Sequence, residues 1–94
     1  MNHWLAIYDI RDERRLHKVA KTIESYGVRV QKSVFEVIAT RKVVDRLRKE
    51  VAGILDVNED YVVYFELCER DWQKREKYGP GKYSEEDIRS FRIL

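Results

Sequence analysis

Ninety-four residues, 44% hydrophobic and 38% charged, suit one globular domain with a modest core and leave no room for two. That apolar fraction with a formal net charge of only +2 excludes a disordered chain, and so small a surplus by itself makes no case for a polyanionic partner. The single Cys68 excludes an internal disulfide and a thiolate metal centre, and with no signal-peptide core and no apolar run near the ~18 residues of a membrane span, the expected address is the cytoplasm.

The chain is organised around Trp4-Leu5-Ala6-Ile7-Tyr8-Asp9-Ile10. Apolar side chains on both parities predict a central strand covered on both faces. Counting by two, Leu5, Ile7 and Asp9 share one face, and Trp4, Ala6, Tyr8 and Ile10 share the other. Asp9 therefore ends a greasy row. A buried carboxylate there needs a cation, a metal or backbone donors.

Arg11 to Arg15 opens a helix whose apolar stripe is Leu16, Val19, Ala20, Ile23 and Tyr26. Asp12 and Glu13 suit its positive end, and Gly27 is expected to stop it in a left-handed conformation. Val28-Arg29-Val30-Gln31 and Val34 to Ala39 are rich in β-branched residues and are joined by Lys32-Ser33. They read as two strands with a tight link or as one bent strand, with Val28 and Val30 inward. Arg41 to Leu55 is a second helix, with Val43, Val44, Leu47, Val51, Ile54 and Leu55 on its apolar side. A polar turn from Asp56 to Asp60 leads into a strongly β-prone stretch, Tyr61 to Leu67.

Residues 1–68 thus form a core, and residues 69–94 a charged extension that either belongs to the same domain or is exchanged in a dimer. Within the extension, Gly79-Pro80-Gly81 forces a turn, Ser84 to Asp87 suits a helix cap, and Ile88 to Leu94 suits an edge strand. The order β-α-β-β-α-β plus tail is the α+β, ferredoxin-like arrangement, with an antiparallel sheet and both helices on one face. The other face carries Val34, Ile38 and the aromatic last strand, too apolar to stay wet, so a homodimer is expected.

Asp9 has two competing roles. Asp9-x-x-Asp12 resembles a capping box for the first helix. Alternatively Asp9 is a Mg²⁺ ligand, ideally one of two Asp9 residues meeting across a dimer axis. Basic side chains form a second constellation: Arg11, Arg14, Arg15, Lys18 and Lys21 on the first helix, Arg29 and Lys32 after it, and Arg41, Lys42, Arg46, Arg48 and Lys49 on the second. They are either a solvated surface or a set of phosphate contacts. His3 and His17 have no metal-ligand spacing and read as exposed. Ser33 has no neighbouring base, and Phe35 reads as core. Trp72 and Tyr78 are odd in a charged segment and are expected to anchor it to the body or to a partner.

Tyr8-Asp9-Ile10 ending the first strand, a basic helix closing at Tyr26-Gly27, and Arg29-x-Gln31-x-Ser33-Val34-Phe35-Glu36 together resemble the CRISPR-associated Cas-two family. Glu59-Asp60 before the strand to Leu67-Cys68 is similar as well, so the resemblance spans residues 4–68. It implies a ferredoxin-like homodimer that works beside the CRISPR-associated integrase during capture of new spacers in antiviral defence and contacts DNA. It further implies a Mg²⁺- or Mn²⁺-dependent endonuclease acting on single-stranded RNA or double-stranded DNA, with Asp9 as catalytic metal ligand. Tyr8, Gln31, Ser33 and Phe35 then flank the site, while Arg11, Arg14 and Arg29 are the expected phosphate contacts. The alternatives are a non-enzymatic dimeric scaffold of the integration complex and a related toxin-type ribonuclease. The tail is longer and more charged than the resemblance implies.

Overall fold

The computed structural model describes residues 2–73. Its elements are β1 (Asn2–Asp9), α1 (Glu13–Glu24), β2 (Val28–Gln31), β3 (Val34–Ala39), α2 (Arg41–Ala52), β4 (Tyr61–Leu67) and a short α3 (Glu69–Gln73). The sheet order is β2-β3-β1-β4 with every neighbouring pair antiparallel, which is the expected α+β, ferredoxin-like arrangement. β1 lies between β3 and β4, as its two-faced apolarity requires. The β-rich stretch resolves into two strands linked by Lys32-Ser33, with a register shift between Arg29 and Gln31.

The two helices cover one face of the sheet. Trp4, Ala6 and Tyr8 of β1 and Phe35, Val37 and Ala39 of β3 are buried there against Val19, Ala20 and Ile23 of α1 and Val44, Leu47 and Val51 of α2. Thr40 caps α2 by accepting a hydrogen bond from the Val43 amide at 3.3 Å, and Gly53 ends the helix before Leu55 is reached. Gly27 is not in the left-handed region as expected. It is needed because β3 passes so close that a Cβ would lie 2.1 Å from the Glu36 carbonyl oxygen.

Among the described residues the opposite face is closed only in part. There α3 folds back on the sheet, and Trp72 is buried in a second cluster with Leu5, Val30 and Val34, flanked by Ile7, Phe65 and Leu67. So Trp72 anchors the start of the extension to this chain's own body. Its ring stacks on His3 at 4.4 Å with the planes 8° apart, and His3 Nε2 lies 2.5 Å from Glu69 Oε2. His3 is therefore a half-hidden packing partner rather than the exposed histidine expected, because α3 covers it. Val34 is buried by the same cover, whereas Ile38 stays exposed. Val28, expected inward with Val30, is exposed because it sits on edge strand β2 beyond the reach of Trp72. The turn at Gly79-Pro80-Gly81, the cap at Ser84, the strand from Ile88 and the anchoring role of Tyr78 lie outside the described residues. No helix among the described residues is long and apolar enough to cross a membrane.

Candidate functional site

Asp9 is the last residue of β1, on the face away from the helices with Leu5 and Ile7. It is exposed, which corrects the expectation of a buried carboxylate. Pairing with β3 ends two residues earlier, at Ile7 opposite Val34, and only Tyr61 of β4 stands across from Asp9. The row is apolar up to the point where its cover stops. The capping role belongs to Asp12, which has an extended backbone and whose carboxylate accepts from the Arg15 backbone N–H at 3.0 Å. Helix α1 starts at Glu13, too late for Asp9 to reach its free amides. Among the described residues, the Asp9 carboxylate makes no hydrogen bond and no ion pair.

The buried carboxylate at this end of the sheet is Asp60, which ends the loop before β4. Its side chain has 0% exposure. Oδ1 accepts from the Arg11 backbone N–H at 2.9 Å and from Arg15 Nη2 at 3.2 Å. Oδ2 accepts from Arg15 Nε at 2.7 Å and from the Asp56 backbone N–H at 3.0 Å. Four donors fill the acceptor capacity of a carboxylate, and the guanidinium fork supplies charge-assisted geometry. Arg15 also reaches Glu59 Oε2 at 3.1 Å. The Arg15 hydrogen bond, followed by the two backbone amides and the guanidinium charge, overcomes burial and holds the Asp60 carboxyl well below the usual carboxylate range. Conversely, the hydrogen bond to Asp60 raises Arg15 above its ordinary value.

Asp60 is the residue that inspection of the sequence missed as a structural centre. It sits in a stretch that reads as a polar turn, and its partner Arg15 lies 45 residues away. The one signal was Glu59-Asp60 in the family resemblance. Arg15, counted among the basic residues, is committed to this pair and is not available for phosphate.

The remaining site residues divide by face. Tyr8 points to the helix side and is buried. Its amide donates to the Ser33 carbonyl and its hydroxyl to the Lys32 carbonyl, each at 3.2 Å, so it pins the end of β1 to the β2–β3 turn. Burial raises the Tyr8 hydroxyl pKa, with the nearby Arg29 opposing the shift. Phe35 is fully buried core, as expected, with the Arg29 guanidinium 5.2 Å from its ring centre. Gln31 is exposed, and its side-chain oxygen accepts from the Lys32 amide at 3.3 Å. Thus Arg29 and Tyr8 lie on the helix face and Asp9 on the other. The structure brings Asp9, the Arg11 and Arg14 backbone and the Lys32-Ser33 turn to one end of the sheet, whereas Arg29 stands part-way along edge strand β2. Arg11 and Arg14 are exposed, and their side chains form no ion pair among the described residues.

No group of three or more His, Cys, Asp or Glu side chains among the described residues is placed to hold a metal ion. Among the described residues, Asp9 is the exposed carboxylate at the end of the open sheet face with neither a hydrogen bond nor an ion pair. That donor fits Mg²⁺ or Mn²⁺, which keep most of their shell as water, when a second carboxylate comes from another chain.

A family model described as CRISPR associated protein Cas2 matches residues 1–75. A relative from Rhodospirillum rubrum, named CRISPR-associated endoribonuclease Cas2 4, is 38% identical over 68 residues. The match takes in 72% of this chain and 55% of that protein, so the chain spans about half the length of this relative. The crystal structure of Streptococcus pyogenes Cas2 superposes with a TM-score of 0.71 at 31% identity, covering 83% of this chain and 99% of that one. A chain of a partial Cas6-RT-Cas1–Cas2 complex superposes with a TM-score of 0.71 at 26% identity, covering 82% of this chain and 84% of that one.

Proposed function

Since the chain belongs to the CRISPR-associated Cas2 family, we propose that it serves in spacer acquisition as a homodimer beside the integrase and is a metal-dependent phosphodiesterase acting on RNA or DNA. The observation that carries the catalytic part is Asp9: an exposed carboxylate with no partner among the described residues, at the mouth of the open sheet face. The endoribonuclease name of the Rhodospirillum relative supports cleavage. The Cas1-containing assembly of the structural neighbour supports an integrase partner. Val28, Ile38 and Tyr61, each more than half exposed on the face that α3 leaves open, support a second copy as its cover.

In this reading two Asp9 carboxylates, one from each protomer, would hold Mg²⁺ or Mn²⁺. Such an ion, when bound, lowers the pKa of water and polarises a phosphoryl oxygen. The chain's own residues do the rest. Arg11 and Arg14 hold the phosphate charge near Asp9, and Arg29 contacts the nucleic-acid backbone further along the edge. Tyr8, Gln31 and Ser33 keep the turn beside β1 in place, and Phe35 supports the strand from below.

A scaffold without catalysis is the second reading, favoured because no group of three or more metal-ligating side chains gathers among the described residues. Cleavage of labelled single-stranded RNA and double-stranded DNA by the parent and by Asp9→Asn, with Mg²⁺ and with chelator, separates the two. Metal-dependent cutting lost in a folded, dimeric Asp9→Asn is the expected result. Equal cutting by both proteins would remove Asp9 from the chemistry, and no cutting by either would leave the scaffold.

A further inference from the structure

We propose that Asp60, acting through Arg15 and the Arg11 backbone, is a positioning residue for Asp9. The inference rests on Asp9 being the metal ligand of the proposed function, and it names what keeps that ligand in place. A metal ligand has to be held to within roughly 0.5 Å of its working position. Among the described residues Asp9 has no side-chain hydrogen bond or ion pair to do this, so its place depends on the backbone on either side of it.

Asp60 controls that backbone from two directions. On one side it accepts the N–H of Arg11, two residues after Asp9, at 2.9 Å. On the other it directly precedes Tyr61, the residue paired across from Asp9. Through Arg15 it also ties the first turn of α1 to the same point, at 2.7 and 3.2 Å. Its bond to the Asp56 amide, at 3.0 Å, closes the loop from which it comes. One buried carboxylate therefore links the end of β1, the start of α1 and the start of β4. A saturated, buried group of this kind has a defined geometry, because moving any segment leaves a donor or an acceptor unpaired.

Two variants probe the clamp at different depths. Asp60→Asn turns one acceptor position into a donor, facing either an amide or the guanidinium. Arg15→Lys keeps the charge and the backbone bonds but removes the planar fork. Val44→Ala is the control. It opens the core near the start of α2, at the end of the sheet away from Asp9, and destabilises without touching the clamp. The probe is Mn²⁺ alone, read as paramagnetic broadening of the Ile10 amide signal, with amide hydrogen exchange of Asp9 and Arg11 measured in parallel on the full-length dimer.

The expected result is a roughly tenfold or larger rise in the Mn²⁺ concentration needed for half-broadening in both clamp variants, in the range seen when groups supporting a metal ligand are removed. Faster exchange at Arg11 should accompany it, while Val44→Ala binds Mn²⁺ as the parent does. Unchanged Mn²⁺ affinity in folded Arg15→Lys and Asp60→Asn would overturn the inference, as would an equal loss in Val44→Ala. Failure of the underlying reading looks different: the parent then shows no Mn²⁺ broadening at Ile10, or Asp9→Asn shows the same broadening as the parent. In that case the exchange data decide. Parent-like exchange at Asp9 and Arg11 in both clamp variants overturns the positioning role, and faster exchange confined to that corner supports it without a metal.

Discussion

The two faces of the sheet solve the same burial problem in different ways. On the helix side, alternate residues of β1 and β3 disappear beneath two twelve-residue helices, and even Tyr8 is sealed with its hydroxyl bonded to a backbone carbonyl. On the other side, among the described residues, the short α3 supplies the cover through the Trp72 indole. Beyond Trp72 the surface remains apolar at Val28, Ile38, Tyr61 and Val63, and then ends at the free carboxylate of Asp9. The closed face stabilises the fold. In the proposed reading the open face carries what is left over for partners and chemistry, and Asp60 stands at the junction of the two.

The strongest way to break this division is on the closed face. Phe35 belongs to the family-like motif, yet it is fully buried among core residues. Phe35→Ala is expected to cost about 3–5 kcal/mol in urea unfolding, while Phe35→Leu costs far less and keeps any cleavage activity. Loss of activity in a stable Phe35→Leu would mean that the residue has a chemical role and that the closed face is not purely structural.

At the junction, pH is the probe. The Asp60 carboxyl is held below its ordinary value of 3.8, mainly by Arg15, so the folded state favours the charged form. Its stabilising contribution is complete above that ordinary value and is lost as pH falls from there toward the depressed value of the folded protein. Acid unfolding of the parent should therefore steepen below about pH 4, and Asp60→Asn should lose that part of the slope. Parallel acid limbs for the two proteins would show that the clamp does not couple to folding.

The contrast between the faces also explains what could be read in advance. Strand and helix identities follow from apolar periodicity, which is local, and so does the central place of β1. Whether a face is covered at a given residue is not local. Asp9 shares the parity of buried Leu5, but its exposure depends on where pairing with β3 stops and on how far α3 reaches. The cap fell to Asp12 because the chain leaves the sheet through buried Ile10 before turning into α1. Asp60 was illegible because a carboxylate in a polar loop looks the same whether its guanidinium partner is present or absent. Trp72 was legible as an oddity, since a large apolar ring in a charged stretch needs a place to go.

On the open face, Trp72→Ala should cost about 2 kcal/mol, the value of uncovering one large apolar side chain in the smaller of the two clusters. It should also expose His3, Leu5 and Val34, and sedimentation should then report a change in self-association. A variant with parent-like stability and parent-like association would mean that the face is closed by something other than Trp72.

The smallest effect is the sharpest test of how completely the closed face is satisfied. Tyr64 lies on the helix side of β4, where its buried hydroxyl has no hydrogen-bond partner among the described residues and the Arg48 guanidinium sits 5.3 Å from its ring centre. Burial pushes its pKa up to about 12 from 10.0, with Arg48 pulling the other way. The fold therefore favours the neutral phenol, and the matching stability is present below pH 10 and lost as pH rises toward 12. Tyr64→Phe removes a hydroxyl that gains nothing from being buried, so at neutral pH it should be neutral or stabilising by up to about 1 kcal/mol. Above pH 10 the variant should also lose stability less steeply than the parent. A measured loss beyond about 1 kcal/mol at neutral pH would mean that the hydroxyl has a partner in the assembled protein, and that the helix face too takes part in an interface.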